Sequence, residues 1–327
     1  MRRREILALV GGAAAIRSLD VLAQVERVRR IGVLMAGRES DPETQARFAG
    51  LREGLRSAGW VEGQNLQLLT SWGDEPGAVQ AGAAELVRSA PDLIIVQSTQ
   101  GLSALRAQGG TIPTVFANVG DPVASGFVSS LARPGGNVTG FTAFESTTIQ
   151  KWLELLREIV PGLGRVLVLV SAENPRAAVH RRALEAAAKA LAVRLSIPDL
   201  REEVDIRRAF DAFASGPERG VLVLPSIFFV THTDLVVGLA EKNRLPSVFP
   251  YTFQARAGGL LSYGHDVVHL FRQAASYADR ILRGEKPADL PVQQPTKFEL
   301  VVNLRTAKAI GLTIPESFLL RADDVID

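Results

Sequence analysis

The side chains in this sequence best suited to hold a small molecule are hydroxyls, amides and a few aromatics, and they recur directly after apolar runs. Ser98 and Thr99 follow Leu93–Val96, Asn118 and Asp121 follow Thr114–Ala117, Asn174 follows Val166–Val170, and Ser226 follows Val221–Leu224. Hydroxyl and amide groups placed this way donate to or accept from the polar groups of a ligand, with no bond made or broken. Ser98 and Thr99 suit donation to an anionic group, and Ser226 would approach it from the opposite side. Asn118, Asp121 and Asn174 suit the fixing of polar groups, while Phe228, Tyr251 and Tyr263 offer apolar walls or stacking surface. Each has a structural reading beside the functional one. Ser98, Asn118 and Asn174 also suit caps and turns, Asp121 before Pro122 is a good N-cap, and Phe228 suits a core.

Covalent and acid–base chemistry finds little support. The chain contains no cysteine, which excludes a thiolate nucleophile, a Cys-ligated metal site and a lipid-anchored N-terminal Cys. G-x-S-x-G, G-x-x-x-x-G-K-[ST] and G-x-G-x-x-G are all absent, so the marks of serine hydrolases, P-loop enzymes and dinucleotide-binding dehydrogenases are missing. His265 and His269 have the i, i+4 spacing of a helical zinc pair, but Asp266 replaces the glutamate of H-E-x-x-H. Both histidines fall opposite the apolar stripe Val267, Phe271, Ala274, Ala278 and Leu282, which predicts a solvated helix face. Glu202–Glu203 and Asp323–Asp324 read as solvated charges. No metal, no cofactor and no catalytic group is expected.

The elements that must position these residues alternate short β-branched runs with helical patterns, the signature of parallel α/β units. The strand candidates Ile31–Leu34, Leu93–Val96, Thr114–Ala117, Val166–Val170 and Val221–Leu224 are apolar throughout, as in sheets covered on both faces. The pattern occurs twice. Asp41–Pro42 and Asn174–Pro175 each open a helix after a strand, and the runs Ile112–Ala117 and Leu245–Pro250 repeat one another. Pro42 to Pro175 and Pro113 to Pro246 are both 133 positions apart. Two related lobes follow from this, with strand ends facing a shared cleft. The loops to watch are Ala36–Asp41, Ser98–Gln100, Asn118–Asp121, Ser171–Asn174, Ser226–Phe229 and Tyr251–Gln254.

The N-terminus has a different composition. Basic residues at Arg2, Arg3 and Arg4, an apolar run from Ile6 to Ile16 and small residues before Gln24 predict a signal peptide over residues 1–23, cleaved after Ala23. Arg3–Leu7 loosely fits a twin-arginine signal. The 327-residue chain carries a formal net charge of +2, but residues 1–23 hold four arginines, Glu5 and Asp20, which leaves 33 basic and 33 acidic side chains in the remainder. That balance gives no electrostatic reason to expect nucleic acid.

The stretch Gly120–Phe141 resembles a signature of ABC transporter substrate-binding proteins, in a group that includes aromatic-amino-acid binders. Ala257–Gly264, Lys286–Pro291, Gln294–Asn303 and Ala309–Pro315 resemble the same group, so the likeness runs from about Arg29 to the end. It implies an α/β type I periplasmic-binding fold, in which two Rossmann-like lobes with parallel sheets are joined by a hinge. The expected division is 29–140 with about 265–300 as lobe one, 141–264 as lobe two, and 301–327 as a segment returning across the hinge with its lobe unassigned. It further implies a monomeric periplasmic protein that takes a small ligand and delivers it to an ABC permease and ATPase complex. Two departures bear on the ligand. Pro225–Phe229 lacks the acidic residue common in relatives, and Arg256 stands where relatives often carry an acid. An amino acid and an aromatic or aliphatic carboxylate without an amine both remain open. A ligand-sensing subunit of a membrane receptor and an enzyme on a doubly wound scaffold are the alternatives.

Overall fold

The computed structural model describes residues 27–73, 77–143, 146–174 and 177–327. The signal peptide expected over 1–23 lies outside the described residues, as does Pro175.

The first sheet is built from β1 (Arg29–Ala36), β2 (Leu66–Gly73), β3 (Leu93–Gln97), β4 (Thr114–Val119) and β5 (Val138–Thr142), all parallel, in the order β2-β1-β3-β4-β5. Its connecting helices are α1 (Pro42–Ser57), α2 (Ala78–Arg88) and α3 (Ser98–Ala107). The central strands β1, β3 and β4 alternate between two buried faces. Ile31, Val33, Leu93, Ile95 and Val115 face one apolar cluster, and Leu34, Ile94, Val96 and Phe116 face another. That burial on both sides explains the uninterrupted apolar runs in the sequence.

The second half begins with α4 (Ser146–Ile159), β6 (Arg165–Ser171), α5 (Ala177–Leu191), β7 (Arg194–Ser196), β8 (Asp199–Leu200) and α6 (Glu203–Phe213). It continues through β9 (Arg219–Val223), α7 (Ile227–Thr231), α8 (Thr233–Lys242), β10 (Ser247–Phe249), α9 (Thr252–Arg256) and β11 (Leu261–His265). Strands β7-β6-β9-β10-β11 repeat the order of the first sheet, so the duplication read from the proline spacing is present in the topology.

After β11 the chain runs back to the first sheet as α10 (Val267–Leu282), which packs on α1, β3, β4 and β5. The stripe Val267, Phe271, Ala274, Ala278 and Leu282 is buried, as its spacing predicts. The chain then returns to the second sheet. There β12 (Phe298–Asn303) pairs antiparallel with β11, and α11 (Leu304–Ile310), α12 (Glu316–Leu319) and β13 (Asp324–Ile326) follow, with β13 parallel to β12.

Three passages therefore join the sheets, after Thr142, at Asp266 and between Gln293 and Phe298. They lie side by side. Thr142 N–H donates to the Gln293 carbonyl at 2.8 Å, and Phe298 pairs in register with His265.

Candidate functional site

The carboxyl ends of both sheets meet at Asn118 and Tyr251. These residues are 133 positions apart, the interval of the proline landmarks, so they are equivalent positions at the carboxyl ends of the equivalent strands β4 and β10. The Asn118 amide hydrogen-bonds to the Tyr251 hydroxyl. Contact between equivalent positions places the relating axis of the two halves at this point. Tyr251 is buried, and burial raises its hydroxyl pKa, against which the Arg47 charge and the Asn118 hydrogen bond act.

His265, the last residue of β11, joins the same group. Its Nε2 lies 3.2 Å from Asn118 Oδ1 and donates to it. The ring is 3% exposed, and burial pushes its pKa down to about 4, so it is neutral at physiological pH. This corrects the expectation of a solvated face for the His265/His269 pair. His269 is exposed on α10, but His265 ends a strand and points into the seam between the sheets. The four-residue spacing spans a strand end, a cap at Asp266 and the first turn of a helix, and it is not a helical repeat. Among the described residues no cluster of three or more His, Cys, Asp or Glu side chains is arranged to hold a metal ion.

Arg47 comes from the second turn of α1. It is 2% exposed, and its guanidinium carbon sits 5.9 Å from the centre of the Tyr251 ring. Gln97, the last residue of β3, is 1% exposed. Arg47 lies inside a helix, and Gln97, although it directly follows Leu93–Val96, is still part of the strand, so a pattern that looks for small polar loop residues passes over both. A detectable signal lies in the helix period: Thr44, Arg47, Leu51 and Leu55 fall on one stripe of α1, and all four are buried. The equivalent position of α5, 133 residues on, is His180, also buried.

The other expected residues form two further groups. Ser98 and Thr99 open α3, where Ser98 Oγ accepts from Gly101 N–H at 3.2 Å and Thr99 Oγ1 accepts from Gly120 N–H at 3.2 Å. Asp121 Oδ1 accepts from Ala124 N–H at 3.0 Å in the neighbouring loop. In the second half, Asn174 Nδ2 donates to the Pro225 carbonyl at 3.2 Å, and Ser226 caps α7 by accepting from Phe228 N–H at 3.2 Å. Phe228 is half-buried against Phe229 and His232, with ring centres 5.1 and 4.6 Å away. Tyr263 stands two residues before His265 on β11. It stacks on Phe298 at 5.4 Å, and its carbonyl accepts from Trp152 Nε1 at 2.6 Å.

Backbone conformation separates the first group from ordinary turns. Ser98, Asn118 and Asp121 have φ of +71°, +60° and +42°. Left-handed residues other than glycine cost roughly 1 kcal/mol or more each and concentrate at binding loops. Here three of them fall at the carboxyl ends of β3 and β4.

Comparison with known proteins accords with this geometry. Residues 34–326 match the family of ABC transporter substrate binding proteins, and the chain belongs to that family. A tyrosine-binding protein from Clostridioides difficile is 26% identical over 266 residues, covering 80% of this chain and 76% of that protein. Among solved structures, a conserved domain protein from Vibrio cholerae superposes with a TM-score of 0.85 at 27% identity, covering 91% of this chain and all of the other. The ABC domain from Streptococcus pneumonia in complex with L-Trp gives a TM-score of 0.83 at 24% identity, covering 91% of this chain and 99% of its own. The fold is that of the type I periplasmic binding proteins, with two lobes. The protein is thus a solute-binding protein of the ABC type. Such proteins act outside the cytoplasm, bind small ligands and work with an ABC permease.

Proposed function

We propose that this chain captures an aromatic amino acid between the carboxyl ends of its two sheets and delivers it to an ABC permease and ATPase complex. The observation that carries this reading is the meeting of Asn118 and Tyr251, equivalent residues of the two halves, beside the buried Arg47. In a duplicated α/β chain the strand ends around that axis are the ligand-binding face. The relative that binds tyrosine supports the ligand class.

In this reading Ser98, Thr99, Asn118 and Asp121 act from the first lobe, and Asn174, Ser226, Phe228, Tyr251 and Tyr263 from the second. Lobe one comprises 29–140 with about 265–300 and lobe two 141–264. What supports this division is the packing of α10 on the first sheet, and the pairing of β12 and β13 on the second sheet supports grouping 301–327 with lobe two. Solute touching both lobes shifts the population toward a closed form, because only that form makes both sets of contacts. The protein is monomeric and non-catalytic, and it reaches the periplasm after cleavage behind Ala23, with Arg3 and Arg4 favouring the twin-arginine route.

Thermal denaturation with L-tyrosine, L-tryptophan and 3-(4-hydroxyphenyl)propionate tests the ligand class. A ligand present at 100 times its Kd adds about 2.7 kcal/mol of apparent stability. Stabilisation by either amino acid supports the reading, and stabilisation by the deaminated acid alone replaces it with an amine-free carboxylate. Replacing Ser98 and Ser226 together by Ala is expected to weaken binding and, because each hydroxyl accepts from a backbone N–H at a helix start, to lower the ligand-free stability as well, by about 1 kcal/mol per site. An unchanged Kd removes both from the site.

A further inference from the structure

Arg47 is unusual for its surroundings. The arginines nearby on α1 behave as surface residues do: Arg52 pairs with Glu62 at 2.5 Å with more than half of its side chain exposed, and Arg56 lies on the exposed last turn. Arg47 is buried, its Nε makes no hydrogen bond, and among the described residues it forms no ion pair. Glu43, one turn earlier, forms no ion pair with it; burial raises the Glu43 carboxyl pKa, and the Arg47 charge acts against that rise. A guanidinium withdrawn from water without an anion loses several kcal/mol of hydration. One cation–π contact at 5.9 Å returns about 1–2 kcal/mol of that. Among the described residues no hydrogen-bonded anion of the protein offsets the rest.

Gln97 adds an independent observation. It continues the alternation of Leu93 and Ile95, so it projects from the face of β3 that α1 and α10 cover, the face from which Arg47 approaches. Both its Oε1 and its Nε2 are buried without a partner in the protein. Its register partner on β4 is Ala117, the residue before Asn118. A cation and an amide donor, both desolvated, therefore converge on the end of the first sheet where Tyr251 and His265 arrive from the second. Arg47 acts electrostatically on both of those residues. His265 is neutral there and brings no competing charge.

We propose that Arg47 and Gln97 are the carboxylate-holding end of the solute site, so that the anionic group of the ligand enters the seam between α1 and the ends of β3 and β4 and Tyr251 closes over the guanidinium. The assignment rests on the amino-acid reading above and names which end of the amino acid is buried deepest. A guanidinium binds a carboxylate through two parallel N–H···O bonds, and the Gln97 Nε2 supplies a further donor. The specificity that results is for the charge on the acid.

Calorimetric titration with L-tyrosine and L-tyrosinamide separates the two ideas, because the amide keeps the ring, the ammonium and nearly the same size but has no negative charge. Wild-type protein is expected to bind L-tyrosine on the order of 100-fold more tightly than L-tyrosinamide. Arg47→Met is expected to bring that ratio close to one, Gln97→Ala to reduce it by about 10-fold, and Arg52→Met to leave it unchanged. If Arg47→Met does not fold, the ratio measured on Arg47→Lys decides, since Lys keeps the charge but loses the two-pronged geometry and is expected to lower it by about 10-fold. An equal affinity of the wild type for the acid and its amide, or an Arg47 variant that keeps the wild-type ratio, overturns the carboxylate assignment and leaves the amino-acid reading standing. Failure of the wild type to bind L-tyrosine, L-tryptophan or L-tyrosinamide at all overturns both.

Discussion

Asn118 holds a left-handed backbone, hydrogen-bonds to Tyr251 and accepts from His265. A single side chain thus links the ends of both sheets to the start of α10, and the protonation of His265 bears directly on it. The imidazole pKa is depressed from about 6.5 in an unfolded chain to about 4 in the folded one. The unfolded state therefore binds the extra proton first as the pH drops. The His265 contribution is fully present above about pH 6.5, is lost progressively from there to about pH 4, and is constant below. Its full size is about 3 kcal/mol. Urea denaturation at pH 7 and pH 4 is expected to show wild type losing about that much more stability than His265→Gln, whose amide still donates to Asn118. Equal losses would remove His265 as the source. The positions of Asn118, Tyr251 and Ser226 at the carboxyl ends of buried strands were legible in sequence, because an apolar run that stops at a polar or aromatic residue marks where a strand leaves the core. The burial of His265 is not legible, because i, i+4 spacing alone does not distinguish a helical repeat from a strand end followed by a helix start. The burial of Arg47 is not legible in sequence from its residue type, because an arginine within an amphipathic helix ordinarily faces water.

At the scale of elements, the close approach of α1 and α10 fixes where the Arg47 turn sits. A Cβ built on Gly54 would stand 2.7 Å from the Ala275 Cβ and 2.9 Å from the Arg272 carbonyl. Gly238, on the exposed face of α8, has nothing within 4 Å of that position. Alanine is worth up to about 1 kcal/mol over glycine inside a helix, so two opposite effects compete at Gly54 and only one operates at Gly238. Backbone of a packed helix does not yield by several tenths of an ångström without cost. Gly54→Ala is therefore expected to destabilise by about 1–3 kcal/mol, and Gly238→Ala to stabilise by roughly 0.5–1 kcal/mol, both read from urea midpoints. The long buried strands were legible because burial on both faces forces continuous apolar runs. Strands β7, β8 and β10 span three, two and three residues, too few to show any period, and nothing in the local pattern of β12 marks it as antiparallel. The duplication located β10 all the same, through Leu245–Pro250.

For the whole molecule, the charge balance belongs to residues 24–327, which are formally neutral. Sequencing the N-terminus of exported protein is expected to give Gln24 as the first residue; a retained Met1 in exported material would exclude cleavage. With cleavage there, the proposed capture of solute would be a short-range matter of the seam between the sheets. The three passages between those sheets set how that seam can move. Because the segments at Thr142–Gln293 and His265–Phe298 are hydrogen-bonded or paired side by side, they form a strip, not a single thread. A thread lets two bodies swivel in any direction, whereas a strip three chains wide folds like a door leaf about one line and resists shear and twist. In the proposed cycle, opening and closing would then follow one coordinate, and each closure would return Tyr251 to the same place over Arg47.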